Sequence, residues 1–364
     1  MTGKRRILIY VGIVALLIIV LVVLDKLNVD NPTQNVMHSF EAYRSVDEIA
    51  ARLTKDIEDG VVGTDVLYSR DVPIDEILKI NYYIGTLDGT IESVSYTSSI
   101  AGVTKLDFTI ARSDNSYVYR AYAMKEPIPE DKTMAKELYE KVHGFMLLRI
   151  KSSMSDYEKE VAIHDYIVQN CKYSYGSDDN ENEYRAYGAL VEGKAVCNGY
   201  AEAMALLLNC CGIENRYITG YAGNELHAWN LVKLEGNWYH VDATWDDPVL
   251  EKGDVLLHSY LNLSDDIISK SHSWEKDYFE ECNSMAFNYY NMNSLYFEDV
   301  SSFKNGIKNT VMRNKHGMVE CAIKHGSPSG DELKFLFDYG GIKSFQYSND
   351  GEEDYNILVI YLNK

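Results

Sequence analysis

The sequence predicts an α+β fold, because helical and strand patterns fall in blocks and do not alternate one for one. Two observations carry this. Apolar residues at helical spacing dominate residues 131–211, whereas strictly alternating runs follow at Ala228–Leu234 and Trp238–Val241. Two outlying stretches each mix helix patterns with several short strands. A third observation adds a segment ahead of this body. Lys4-Arg5-Arg6 precedes Ile7–Leu24, a run without charge. As a helix it spans about 27 Å, enough for a bilayer core. The basic flank predicts that end inside and the body outside. No small-residue cleavage site follows Leu24, where Asp25-Lys26-Leu27-Asn28 stands instead.

The expected organisation is therefore a cytoplasmic basic tail and transmembrane anchor over 1–28, an N-terminal α+β module over 36–126, a core over 131–290 and a small C-terminal α+β module over 293–364. The expected location is the cell membrane, single-pass, with an extracytoplasmic body. In the first module helix patterns run over Val46–Ile57 and Asp75–Ile84. Strand patterns cover Val61–Tyr68, Ile91–Ser98, Val103–Ala111 and Tyr117–Met124. Pro127 and Pro129 punctuate the chain before a helix reaching about Ile150. Ser155-Asp-Tyr-Glu158 is a capping box opening a second helix to about Asn170. His164 sits on its stripe with Tyr157, Val161 and Val168 and reads as a packed structural histidine. Gly176–Glu183 reads as an exposed acidic loop.

The chemistry concentrates in Gly193–Asp247. One Cys, one His and one Asp, namely Cys197, His227 and Asp242, lie within 46 positions in that order. They supply a nucleophile, a base and an orienting carboxylate. Ala201, Met204, Ala205 and Leu208 repeat at helical spacing, and Gly212 stands where a C-cap belongs. Cys197 is thus placed at the N-terminus of a buried helix, whose N–H groups favour a thiolate over a thiol and can hold an oxyanion. Gly199 reads as keeping the approach to the sulfur open. Glu235-Gly236 reads as a hairpin turn. With that turn at the tip, Asp242 lies opposite Trp229, and His227 is a diagonal neighbour on the same face. A one-residue slip separates them. His240 shares the face as rival base or supporting residue, and its bland reading is a half-exposed strand histidine. No Cys-x-x-Cys or His-Glu-x-x-His spacing occurs, so no metal ligand or cofactor is assigned.

Ala189-Leu-Val-Glu-Gly-Lys-Ala-Val-Cys197-Asn-Gly-Tyr-Ala, His227-Ala-Trp-Asn and Trp238-Tyr-His-Val-Asp242-Ala-Thr-Trp together resemble the core of the transglutaminase-like superfamily, in its bacterial, secreted or membrane-anchored branch. The resemblance covers about residues 131–290. It implies a papain-like thiol fold, a Cys-bearing helix packed on an antiparallel sheet carrying His and Asp, with the triad on Cys197, His227 and Asp242. Family members include cross-linking enzymes, peptidases, amidases and proteins without activity. Related folds place a further oxyanion donor upstream of the Cys, for which Tyr173 and Tyr175 are candidates. Ser271-His-Ser-Trp274 resembles a terminal block of the family in which a Trp packs on the core; the other reading places His272 in the site.

Composition limits the partners. Formal net charge is −20, which argues against nucleic-acid binding, since phosphate contacts need clustered Lys and Arg. The 29 tyrosines against 10 phenylalanines mean that many aromatic contacts keep a polar tip. Of six cysteines, Cys197 and Cys210 lie about 20 Å apart along one helix, too far for a disulfide. A Cys171–Cys282 pair stays open. Beyond Pro248, strands are expected at Tyr260–Ser264, Met318–Ile323 and Ile357–Leu362, with a helix over Val300–Val311, an order that echoes the first module. Two functions follow. One is a surface-anchored thiol enzyme acting on amide bonds of protein or peptide substrates, among them cell-surface or cell-wall proteins, by acyl transfer or hydrolysis. The other is a catalytically weak or inactive binding module at the cell surface. The filled triad favours the enzyme.

Overall fold

The computed structural model describes residues 42–363 apart from 59–60, 62, 70–71, 74–76, 78–79, 81–89, 101–102, 176–179, 248–255, 314–316, 340 and 353. The expected anchor over 1–28 lies outside the described residues, as does most of the helix expected at Asp75–Ile84. Among the described residues no helix is long and apolar enough to cross a membrane. The chain divides into two compact units, Met1–Ser113 and Asp114–Lys364.

In the first unit, α1 (Val46–Glu58) repeats Ile49, Leu53 and Ile57 four residues apart, so one side of the helix is buried. Strands β1 (Gly63–Ser69), β2 (Thr90–Ile100) and β3 (Val103–Ala111) form an antiparallel sheet in the order β1-β3-β2. Leu106, Phe108 and Ile110 alternate along β3 and pack with Val66, Tyr68 and the α1 stripe in one core.

The second unit opens with a correction. The strand expected at Tyr117–Met124 is a helix, α2 (Asp114–Ala123). Its Tyr and Val residues favour strands locally, but Val118 is buried in the core of this unit and Asn115 reaches Glu202 at 3.0 Å. Tertiary packing decides the conformation over propensity. Helices α3 (Thr133–Arg149) and α4 (Asp156–Asn170) follow as expected. The capping box is made in both directions, Glu158 N donating to Ser155 Oγ at 3.2 Å and Ser155 N to Glu158 Oε2 at 2.7 Å. Strand β4 (Lys172–Tyr173) pairs in parallel with β5 (Lys194–Ala195), just before α5 (Cys197–Cys210).

The central sheet comprises β6 (Asn215–Ala222), β7 (Glu225–Leu234), β8 (Asn237–Val241), β9 (Leu261–Leu263) and β10 (His272–Ser273), the last preceded by the short helix α6 (Asp265–Ile268). Its order is β10-β6-β7-β8-β9, all antiparallel. Val232, Leu234, Tyr239 and Val241 pack with Leu138, Ile163, Met204 and Leu207 of α3, α4 and α5. The other face presents Ile218, Trp229, Leu231 and Trp238 to a second core. That core is completed by α7 (Tyr289–Met292), β11 (Tyr296–Asp299), α8 (Val300–Gly306), α9 (Lys308–Arg313), β12 (Met318–His325), β13 (Ser344–Glu352) and β14 (Tyr355–Asn363). The strands stand in the order β11-β12-β14-β13, with β11 and β12 parallel. Residues 293–364 thus share a core with the central sheet. The helix expected at Val300–Val311 is broken into α8 and α9, and β6 and β13 had no expectation in sequence. The described residues therefore form an α+β architecture.

Candidate active site

Cys197 is the first residue of α5. Three local features put it there. A single turn of π-helix, Gly188–Glu192, is closed by Gly193 in the left-handed region at φ 69°. Val196 is extended at the N-cap, with no side-chain cap. At the far end Gly212, at φ 74°, closes a Schellman motif, its N–H bonding Asn209 O at 2.9 Å and that of Ile213 bonding Leu208 O at 3.0 Å. Gly199 has a different reason from the expected one. A Cβ there would stand 2.7 Å from Ala195 Cβ and 2.8 Å from Glu183 O, so the glycine lets α5 pack against the preceding loop. Cys197 is buried with Ala201 and Ala228 and contacts Asn198 Oδ1 at 3.6 Å.

The hairpin has the expected register. Glu235 and Gly236, at φ 47° and 86°, form its two-residue tip, as a type I′ turn requires. Leu234 pairs with Asn237, Leu231 with His240 and Asn230 with Val241. His227, Trp229, His240 and Asp242 consequently share one face. His227 Nε2 and Asp242 Oδ2 are 2.7 Å apart. Cys197 lies near enough to His227 to help raise its pKa. With Nε2 committed to Asp242, Nδ1 is the ring nitrogen left for the sulfur.

Asp242 is fully buried and satisfied. Its Oδ2 also meets His272 Nε2 at 3.1 Å, and its Oδ1 accepts from Thr244 N at 3.0 Å and Trp245 N at 3.2 Å. Burial works against the charge, but the positive charge and hydrogen bond of His227, with those of His272, hold the carboxyl below its ordinary range. Burial likewise opposes the imidazolium of His227. Asp242 and Cys197 overcome it and raise His227 to about 10.

Two readings from sequence change here. His240 is wholly buried, not half-exposed. Its Nδ1 accepts from Trp229 Nε1 at 2.9 Å, so Nε2 carries the proton and donates to Asp265 Oδ1 at 2.7 Å. Burial keeps it neutral below its ordinary value. It braces the sheet under the site. His272 is the residue that sequence undervalued, for β10 pairs with β6 and sets its ring on Asp242. Its Nδ1 meets Ser271 Oγ at 2.8 Å. The signal was the Ser271-His-Ser-Trp274 block, read there mainly for its Trp.

Tyr173 pairs with Ala195, two residues before Cys197, and its phenol is pushed up by burial and by Cys197, Glu225 and Asp242. Tyr175, the other oxyanion candidate, is 87% exposed. Trp229 is buried in the core, whereas Trp245 is partly exposed with its ring 6.2 Å from that of His227. All six cysteines are free, Cys171 and Cys282 included.

The family described as the transglutaminase-like superfamily matches residues 147–243, which include all three residues. This segment belongs to the transglutaminase-like superfamily. The chain also resembles kyphoscoliosis peptidase from Homo sapiens, 25% identical over 133 residues, or 32% of this chain and 20% of that protein. The Mus musculus protein of the same name is 26% identical over 116 residues, 28% of this chain and 18% of its own. The chain thus spans about a fifth of the length of these relatives. A TGase crystal structure aligns with a TM-score of 0.28 and 13% identity over 61% of this chain and 60% of its own.

Among the described residues, three groups of side chains have the donor types for a metal ion: His227 with Asp242 and His272; His240 with Asp265 and Cys282; His164 with Asp165 and His258. The first is part of the site just described. In the second, the His240 nitrogen that faces Asp265 already bears the proton fixed by Trp229.

Proposed function

We propose that the protein is a thiol enzyme acting on amide bonds of proteins or peptides. Cys197 is the nucleophile, His227 the proton carrier and Asp242 the group that orients and stabilises the imidazolium. The supporting observation is the single imidazole shared between a buried carboxylate at 2.7 Å and the thiol at a helix N-terminus. Thiolate Sγ attacks the carbonyl carbon and forms a C–S bond. The oxyanion sits at the N-terminus of α5, with the Tyr173 hydroxyl as the side-chain donor. His227 gives its Nδ1 proton to the departing amine, leaving a thioester. Water or a second amine then attacks while His227 takes its proton, and the thiolate leaves. Relatives named peptidases favour hydrolysis; the same intermediate serves transfer. A surface location on an N-terminal anchor belongs to this proposal, and fractionation with protease accessibility tests it. Mass spectrometry of glutamine-containing peptides, with and without a primary amine, tests the chemistry. The proposal expects deamidated, cleaved or amine-linked product, absent with Cys197→Ala. Wild-type turnover by Cys197→Ala on the same peptide would leave only the binding-module reading.

A further inference from the structure

Away from Cys197, α4 and the segment before β9 carry a buried cluster that the proposed reaction does not use. His164 is wholly buried and His258 nearly so. Their rings lie 5.4 Å apart, and both turn a nitrogen toward one oxygen: His164 Nδ1 is 3.2 Å and His258 Nε2 3.0 Å from Asp165 Oδ1. His164 is packed as the sequence suggested, with a carboxylate on each ring nitrogen that the stripe did not reveal. Three donor atoms, two imidazole nitrogens and a carboxylate oxygen, lie within 4.8 Å of one another.

The outer side of each ring is as specific as the inner side. His164 Nε2 meets Asp246 Oδ2 at 3.1 Å, and His258 Nδ1 meets Glu320 Oε1 at 2.6 Å. Both carboxylates are buried and fixed in turn. Asp246 accepts from Tyr260 N at 3.0 and 3.1 Å. Glu320 accepts from Tyr290 Oη at 2.9 Å and from His258 N at 3.2 Å. The Tyr289 ring stacks on His258 at 3.6 Å and 4°. A carboxylate behind each imidazole is the arrangement that orients histidines toward a metal ion and makes them better ligands.

We propose that His164 Nδ1, His258 Nε2 and Asp165 Oδ1 bind a divalent transition-metal ion of the zinc class, at a site separate from Cys197. Bonds of about 2.1 Å to one ion put neighbouring ligand atoms roughly 3.0–3.4 Å apart, which the two pairs at Asp165 already match. Two nitrogens and one oxygen suit such an ion better than calcium or magnesium, which prefer oxygen alone. Asp165 keeps 30% of its side chain accessible, so an ion has a path in and water a position on it. The ion takes the place of the protons that the two ring nitrogens otherwise turn to Asp165. It ties α4 to the segment before β9 and, through the outer carboxylates, to β12 and the Asp246 turn.

The test is metal loading of the full chain carrying Cys197→Ala, which removes the thiol nearest to His227 as a competing ligand. After chelator treatment and dialysis against Zn²⁺ or Co²⁺, elemental analysis should find one equivalent. The Co²⁺ form should show ligand-field absorption without a thiolate charge-transfer band. Asp165→Asn and His258→Gln should lose at least about tenfold in affinity, and Glu320→Gln about 10–100-fold. Asp165→Asn is isosteric and at a partly exposed site, so it serves should His258→Gln not fold. No stoichiometric ion, unchanged binding in Asp165→Asn, or a charge-transfer band would overturn the proposal, the last placing the ion on a cysteine and the first leaving a cluster of hydrogen-bonded ion pairs.

Discussion

His227 stands between Asp242 and Cys197, and Asp242 has only donors around it. The second fact makes Asp242→Asn informative. An amide must turn its NH₂ either to Thr244 and Trp245 N–H or to the two histidines, and each choice sets donor against donor. Turnover should fall by about 10²-fold or more, measured on a substrate cleaved by the wild type. His240→Ala should cost far less activity, because the residue is neutral and faces Trp229 and Asp265. The pH profile follows from signs. His227 must hold a proton to release the amine, so activity falls as pH rises through about 10. Removing the Asp242 charge lowers that limit, so the basic limb in Asp242→Asn should move to lower pH. The ion pair also stabilises the fold. The share from Asp242, whose folded value is depressed, is present above the unfolded carboxylate value of roughly 3.9 and lost as pH falls. That from His227, whose folded value is raised, is present below roughly 6.5 and lost as pH rises toward about 10. The melting-temperature gap between wild type and Asp242→Asn should therefore be widest at mildly acidic pH. His227 and Asp242 were legible because a two-residue turn fixes a register by counting. His272 was not, since a two-residue strand must pair with β6 before its ring reaches Asp242.

Elements built on local signals were legible from sequence: α4 from its capping box, α5 from its stripe and Gly212, the β7–β8 hairpin from Glu235-Gly236. Elements whose state depends on neighbours were not, and α2 is the instance, helical because Val118 finds a core. Gly220 tests how an element positions the site. A Cβ there would stand 2.1 Å from Ser273 O and 2.9 Å from the Trp229 ring. Gly220→Ala should push β10 from β6, draw His272 off Asp242 and cost about 1–3 kcal/mol in chemical denaturation, as overpacking does. The same substitution at Gly212, with nothing within 4 Å, should cost stability only through its left-handed backbone and leave turnover unchanged.

At the scale of the molecule, the α+β class and the core's place in the chain were legible; the role of residues 293–364 was not. The apolar face formed by Ile218, Trp229, Leu231 and Trp238 packs against Phe303, Ile307, Val319 and Ile323. Such a covering leaves no sequence motif, only alternating apolar residues that fit many partners. The cluster of His164, Asp165 and His258 was hidden for the same reason, as 93 positions separate Asp165 from its His258 partner. Cutting the chain after residue 292 should expose that face and produce aggregation or loss of the cooperative unfolding transition, followed by light scattering and near-ultraviolet dichroism.

The central claim is that Cys197 is the reactive thiol of this chain. Burial pushes Cys171 and Cys210 up to about 12 and Cys211 to about 11, and it raises Cys282 and Cys321 as well. Cys282 has the neutral His240 near it, whose proton goes to Asp265, whereas Cys197 faces His227, the imidazole raised to about 10. The direct measurement is iodoacetamide labelling of the native protein at mildly acidic pH, mapped by peptide mass spectrometry. The account predicts labelling at Cys197 alone, slowed strongly by His227→Ala and abolished by Cys197→Ala. Equal labelling of several cysteines, or a Cys197 rate indifferent to His227, would contradict it.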